Sequence, residues 1–83
     1  MDADSIRTRI RQMVAAGTLP CEEGKIWAGR GVGESCVACT EPIEPTETDF
    51  EVVFPSGESV RLHGQPCHSI WIEECAPPPA PAR

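Results

Sequence analysis

Aromatic residues are scarce in this chain, and their scarcity limits its core. The 83 residues include two Trp, two Phe and no Tyr. Chains of this length usually need a metal ion, disulfides or a partner for stability. Residues 77–83 add nothing to a core, because proline lacks an amide donor and has a fixed φ. We therefore expect one domain over residues 5–76, stabilised by more than apolar packing, between disordered ends at 1–4 and 77–83.

Long apolar segments are missing as well. No stretch is long enough to span a membrane, and none has the h-region of a secretory signal peptide. Five cysteines without a secretory signal are typical of a reducing compartment, where thiols bind metal rather than form disulfides. We therefore expect a cytoplasmic protein with reduced cysteines and no membrane contact.

Positive charge is also in short supply. Seven Lys and Arg residues stand against 13 Asp and Glu residues, for a formal net charge of −6. Such a surface repels phosphate backbones, which argues against nucleic acid as a general partner. The predicted helix 5–16 differs, since it carries arginines and no acid. Its Arg7, Arg9 and Arg11, here named the arginine face, are either ordinarily solvated or dock on the chain's own acidic body or on an acidic partner protein.

The chain does contain a pair of ligand motifs. Cys36-Val-Ala-Cys39 is C-x2-C, and after 23 further residues His63-Gly-Gln-Pro-Cys67 is H-x3-C. Two such close pairs are what a tetrahedral Zn²⁺ site needs. Thiolate and imidazole ligands suit zinc, whereas Mg²⁺ or Ca²⁺ would need oxygen ligands. We name Cys36, Cys39, His63 and Cys67 the Cys3His cluster and predict that it holds one structural Zn²⁺.

Two other residues are alternative ligands. His68 can replace His63, although as a helical neighbour of Cys67 it is expected to point about 100° away. Cys75 is the second substitute, about two helical turns past Cys67. Otherwise we expect Cys75, and Cys21 beside it, to be small buried hydrophobic residues.

The N-terminal part is predicted to be a helix followed by an irregular arm. Ile6, Ile10 and Met13 recur at helical spacing, and Gly17 is a plausible end for helix 5–16. The arm, residues 18–35, is rich in glycine. Its G-x-G-x-G pattern is only a weak signal for phosphate binding, because no strand precedes it and no helix follows it.

The zinc module, residues 36–76, is predicted to contain a hairpin and a helix. Alternating apolar residues at 50–54 indicate a strand that returns over 59–63. We place Phe54 opposite Val60 and Val52 opposite Leu62, which keeps one face apolar. A C-terminal helix is predicted from Cys67, just after Pro66, to residue 76. The fold class is thus a small α+β zinc-stabilised domain.

The order of knuckle, hairpin and helix over residues 34–76 resembles the treble-clef class of zinc modules, to which LIM-like and ribosomal-type zinc fingers belong. It departs at His63, since treble clefs commonly place the last two ligands together in the first helical turn. The wider pattern is similar to that of short uncharacterised bacterial proteins, which implies architecture and no activity. That pattern is Gly17-x-Leu19-Pro20, Trp27-x-Gly-x-Gly-x-Gly33, Cys36-x2-Cys39 and His63-x3-Cys67-x3-Trp71.

No set of residues in the sequence indicates catalysis. A closed four-ligand zinc has no position for substrate, and no nucleophile with its base is evident. We therefore expect a protein-interaction or regulatory adaptor that uses the arginine face and the exposed edge of the hairpin. The alternatives are a nucleic-acid-binding zinc finger that uses the arginine face, and a redox-responsive switch in which oxidation of Cys36 and Cys39 ejects zinc.

Overall fold

Over the residues that the structure describes, the fold consists of two α-helices and a three-stranded antiparallel sheet, which agrees with the predicted α+β class. A computed structural model describes residues 2–22 and 24–76, so the predicted disordered tail at 77–83 lies outside the described residues. The strands lie in the sheet in the order β1-β2-β3. The elements are α1 (Ala3–Ala16), β1 (Lys25–Arg30), β2 (Thr48–Val53), β3 (Ser59–His63) and α2 (Ser69–Cys75).

Helix α1 begins two residues earlier than predicted. Asp2 caps it, since its carboxylate accepts a hydrogen bond of 2.7 Å from the Ser5 amide. A side-chain acceptor at this position satisfies an amide that the helix leaves without a partner. Residues 2–4 are thus the cap and start of a helix rather than disordered. The helix ends where Gly17 adopts φ 79°, a left-handed conformation that glycine adopts without steric cost.

Strand β1 lies inside the stretch that we predicted to be irregular. It pairs with β2 from Lys25 opposite Val53 to Arg30 opposite Thr48. All six of its residues are exposed. The alternation of buried and exposed positions that marks a strand in a sequence is therefore absent, and the pairing with β2 determines the conformation.

The hairpin forms, but the predicted register is wrong. Val52 lies opposite Val60 and Phe50 lies opposite Leu62, a shift of two residues. The loop is tighter at its tip than we assumed, with the Phe54 amide donating to the Glu58 carbonyl at 2.8 Å. A shift of two residues preserves the alternation of side chains, so the same side chains still lie on the apolar face of the hairpin.

Helix α2 begins later than predicted. Residues Gly64–His68 form a wide helical turn in which Gln65 is extended (φ −133°, ψ 133°), and regular helix starts at Ser69. Cys67 therefore precedes the helix rather than opening it. Buried residues from α1, α2, the sheet and the cysteine-bearing turns form one core, which includes Ile10, Leu19, Ile43, Val52, Leu62 and Trp71.

A disulfide joins Cys21 to Cys75, so the prediction that all cysteines are reduced is wrong. The two residues are 54 positions apart and have Cα atoms 5.4 Å from each other. Folding brings them together, and no local spacing marks the pair in the sequence. The bond ties the arm before β1 to the end of α2. A cross-link over this span is worth about 4 kcal/mol in the chain-entropy account.

The disulfide also removes the basis of the cytoplasmic expectation, which rested on reduced thiols. Within residues 2–22 and 24–76, no helix has the length and apolar character needed to cross a membrane.

Candidate metal centre

The structure brings the four residues of the Cys3His cluster together. One ligand atom from each lies within 4.8 Å of every other, and all four residues are buried. Two come from the turn after the arm, one from the end of β3 and one from the turn before α2. Among the described residues this is the only such grouping of three or more His, Cys, Asp or Glu side chains. The cluster can hold one metal ion.

The first pair of cysteines lies on a tight turn fixed by backbone hydrogen bonds. The Cys36 amide donates to the Glu41 carbonyl, and the Thr40 amide donates to the Cys36 carbonyl, each at 2.9 Å. Thr40 has φ 66°, which is unusual for a β-branched residue. The turn therefore holds an unfavourable backbone conformation at the residue directly after Cys39.

His63 presents one ring nitrogen to the thiols and the other to a carboxylate. Its Nδ1 lies 3.3 Å from the Cys39 Sγ, and its Nε2 lies 3.3 Å from the Glu47 Oε1. A neutral imidazole that donates Nε2–H to the carboxylate has its Nδ1 lone pair free. Metal-ligating histidines commonly use this arrangement, in which the second nitrogen donates to an oxygen. Nδ1 is therefore the nitrogen suited to a metal ion.

Glu47 is a site residue that sequence reasoning missed. The same Oε1 accepts a hydrogen bond of 2.9 Å from the Glu44 amide, while the Glu47 amide donates to the Glu44 carbonyl at 2.9 Å. This reciprocal turn positions the carboxylate against His63. The Glu44 amide is also the main reason that the pKa of Glu47 is lowered, and His63 adds to the effect. No spacing in the sequence connects Glu47 to His63, which is 16 residues away.

The three thiols of the cluster differ in pKa. The pKa of Cys36 is lowered to about 4, because its Sγ accepts a hydrogen bond from Cys67 and others from backbone amides, against the effect of burial. The hydrogen bond to Cys36, burial and the Cys36 charge raise the pKa of Cys67. Burial raises the pKa of Cys39. Thiols alone thus favour one thiolate among three, whereas a bound divalent cation would displace the remaining protons.

The charge of that thiolate also acts on the histidine. Burial alone would lower the pKa of His63, but the hydrogen bonds and charges of Cys36 and Glu47 together outweigh it, so the pKa is raised. The site therefore attracts positive charge at its centre, whether from a proton on the imidazole or from a metal ion.

A small opening connects the cluster to the surface. A cavity of about 100 Å³ borders Cys39, His63 and Cys67, and two acids, Glu41 and Glu47, also line it. Carboxylates at such an opening favour the approach of a cation.

Neither alternative ligand belongs to the cluster. His68 packs between aromatic rings, with its centroid 4.5 Å from that of Phe50 and 5.8 Å from that of Trp71. Burial lowers the pKa of this histidine. Cys75 is committed to the disulfide with Cys21. The structure therefore favours His63 as the fourth member.

The arginine face is largely engaged within the chain. Arg7 forms ion pairs of 2.7 Å with both Glu73 and Glu74, and Arg11 pairs with Glu74. Arg9 is half-buried, and its Nε has no hydrogen-bond partner among the described residues. Of the docking modes that we considered, the structure contains the one onto the chain's own acids. Partner binding by these residues stays a prediction.

Comparison with known protein families, curated proteins and solved structures finds no match for this chain. The site must therefore be interpreted from its own geometry, which is that of four buried side chains able to hold one metal ion.

Proposed function

We propose that the Cys3His cluster holds one Zn²⁺ and that the ion is structural. The observation that carries the proposal is the mutual distance of the four ligand atoms, at most 4.8 Å. A zinc tetrahedron with Zn–S bonds of about 2.3 Å has edges of about 3.8 Å. The side chains therefore need only a small contraction around the ion. Three thiolates and one imidazole are soft or borderline ligands, which favours zinc over the oxygen-seeking cations.

We further propose that the zinc has no catalytic role. Four protein ligands complete a tetrahedron, so water and substrate have no position on the ion. The proposed metal would instead stabilise the fold, since it would link the turn at 36–39, the end of β3 and the turn before α2. The order of turn, hairpin and helix supports a treble-clef-like metal module.

The proposed biological role is protein binding, as an interaction or regulatory adaptor. Large apolar side chains remain at the surface: Ile26, Trp27, Val32 and Ile72. Exposed apolar groups of this size are common at protein-interaction sites. The net charge of −6 and the internal ion pairs of Arg7 and Arg11 favour a protein over a nucleic acid.

Cobalt binding tests the metal proposal directly. The wild-type chain is expected to take up one Co²⁺ with the visible absorption of a tetrahedral thiolate site, and one equivalent of Zn²⁺ should abolish that absorption. Cys67→Ser should lose the signal and the folded state together, because structural zinc supplies about 10 kcal/mol of apparent binding free energy.

The matched control removes the other two cysteines. The double variant Cys21→Ser/Cys75→Ser loses the disulfide and about 4 kcal/mol of stability, yet it should keep the Co²⁺ spectrum. A wild-type chain that folds equally well with a strong chelator present would refute a structural metal.

A further inference from the structure

Among the described residues, the sheet has one open edge, which belongs to β1. On the opposite side, the Arg61 carbonyl of β3 accepts a hydrogen bond of 2.8 Å from the Val37 amide, so the cysteine-bearing turn covers that edge. Strand β2 is internal. Within the described residues, β1 pairs with β2 and with no other strand. The exposed hairpin edge that we predicted from the sequence is therefore covered, and the outer side of Lys25–Arg30, here named the β1 edge, takes its place.

The register identifies the backbone groups at this edge. The Gly31 amide donates to the Glu47 carbonyl at 3.0 Å, which continues the β1–β2 pairing by one position. Hydrogen-bonded pairs alternate along an antiparallel ladder, so the odd-numbered residues of β1 face β2. The N–H and C=O groups of Ile26, Ala28 and Arg30 consequently point away from the sheet. They are available to another strand.

The side chains of this strand are unusual for an uncovered edge. Trp27 is 62% exposed and Ile26 is 46% exposed. Open edges with apolar side chains tend to aggregate, and proteins normally cover or charge them. Beside Ile26, a groove of about 510 Å³ runs between β1 and α2 and is also lined by Trp71 and Ile72. Such a groove can take alternate side chains of an added strand, which is how strand addition obtains specificity.

Charge indicates what kind of strand fits. Lys25 and Arg30 stand at the two ends of β1, and the strand has no acid. Neither forms a salt bridge within the described part of the chain, whereas Arg7, Arg11 and Arg61 all do. Opposite charges on facing strands stabilise their pairing. The β1 edge itself is thus basic, on a protein that is acidic overall and that has Glu22 at the adjoining groove.

We propose that the β1 edge binds an extended segment of another protein as a fourth strand, apolar at alternate positions and acidic at both ends. The proposal rests on the protein-binding role proposed above and names its surface and partner chemistry. A second copy of this chain is a poorer occupant, because it would bring the same two cations and no acid to the shared edge.

A displayed random library of 12-residue peptides tests the proposal, panned in parallel on the zinc-loaded wild type and on Ala28→Pro. The Ala28 amide faces outward, so proline removes a donor from the open edge without removing one from the β1–β2 ladder. We expect acid-flanked apolar peptides to be enriched on the wild type and not on Ala28→Pro. Ala28→Ser, which keeps the amide, should bind the selected peptides as the wild type does, and both variants should retain one zinc.

Charge reversal gives a second readout. Lys25→Glu/Arg30→Glu should bind the selected peptides at least tenfold more weakly and should prefer versions with lysine in place of the acids. Peptide binding should shift the emission of Trp27 to shorter wavelength, since Trp71 is already buried.

The outcomes separate this proposal from the metal proposal. If the zinc-loaded wild type enriches no acid-flanked apolar peptides, the proposal for the β1 edge is refuted, while the metal proposal is unaffected. Equal enrichment on Ala28→Pro would also overturn the proposal for the β1 edge, as would a zinc-loaded dimer in sedimentation that Ala28→Pro dissociates. If the zinc-free chain selects the same peptides, it is folded without the metal, and only the proposal of a structural zinc is refuted.

Discussion

The orientation of His63 determines which of its nitrogens can reach a metal. Glu47 fixes that orientation through Nε2, and the Glu44 amide in turn fixes the carboxylate. An imidazole held this way loses less rotational freedom on binding an ion, and the carboxylate increases its basicity. We therefore assign to Glu47 a positioning role toward the proposed zinc.

Removing the charge of Glu47 should weaken zinc binding without abolishing it. For Glu47→Gln we expect a zinc affinity about 10–100-fold lower, because an amide is a weaker acceptor for Nε2–H. Competition with a chromophoric chelator measures this. Glu44→Gln is the matched control, since it makes the same charge change and the Glu44 interactions here use only its backbone. Equal affinities for the two variants would show that Glu47 has no such role.

Sequence reasoning found the four residues of the Cys3His cluster but not the residues that hold them in place. Cys36 and Cys39, like His63 and Cys67, lie close together in the chain, so their spacing alone indicates a metal site. Glu47 meets His63 only because β2 and β3 pair, and the Cys21–Cys75 disulfide depends on how α2 lies against the arm. Contacts between residues that are distant in the sequence leave no local pattern from which they could be predicted.

At the scale of elements, α1 and α2 are joined by charge as well as by apolar packing. Hydrogen bonds from Arg11 and Arg7 lower the pKa of Glu74 below its usual 4.5. A depressed carboxyl pKa in the folded state contributes stability above the unfolded pKa, and this contribution is lost as pH falls through the folded value. The contact should therefore weaken in acid.

The Glu74→Gln variant tests this pH dependence. Its melting temperature should be lower than that of the wild type at about pH 7. The difference should shrink as pH falls below the usual carboxyl pKa of 4.5 and vanish once pH is below the lowered pKa of Glu74 in the folded state. Thermal scans of both proteins over this range measure the difference. The two proteins are compared only at pH values where both still melt cooperatively, so that metal loss in acid does not enter the comparison. Glu58→Gln, at an exposed turn position, should match the wild type at every pH. A Glu74→Gln difference that persists unchanged in acid would contradict the account.

The elements themselves were predictable to different degrees. Helix α1 has a periodic apolar stripe and a glycine at its end, and β2 has clear alternation, so both leave a local signal. Strand β1 has no such signal, because all its residues are exposed and only its pairing with β2 determines its extended conformation. The register of the hairpin was off by two residues, since either register keeps the same face apolar.

For the whole molecule, the proposed zinc site and the disulfide are two separate cross-links around a small core. Five cysteines allow ten different single disulfides (5 × 4 / 2). Zinc bound at the Cys3His cluster would protect three of them and leave one possible pair, Cys21 with Cys75. The metal should therefore direct the oxidation of the chain.

Oxidative refolding tests this coupling. With one equivalent of Zn²⁺, peptide mapping should find the Cys21–Cys75 bond alone. With a chelator present, we expect a mixture that includes bonds among Cys36, Cys39 and Cys67, because thiolates that lack a metal remain reactive. Identical disulfide patterns under the two conditions would show that the metal does not guide pairing.

Native mass spectrometry of protein purified without added metal or chelator tests the central claim most directly. The account predicts one species, a chain with one zinc ion and a deficit of about 2 Da for one disulfide. A metal-free chain, or one whose additional deficit shows that the cluster thiols are themselves oxidised, would contradict it.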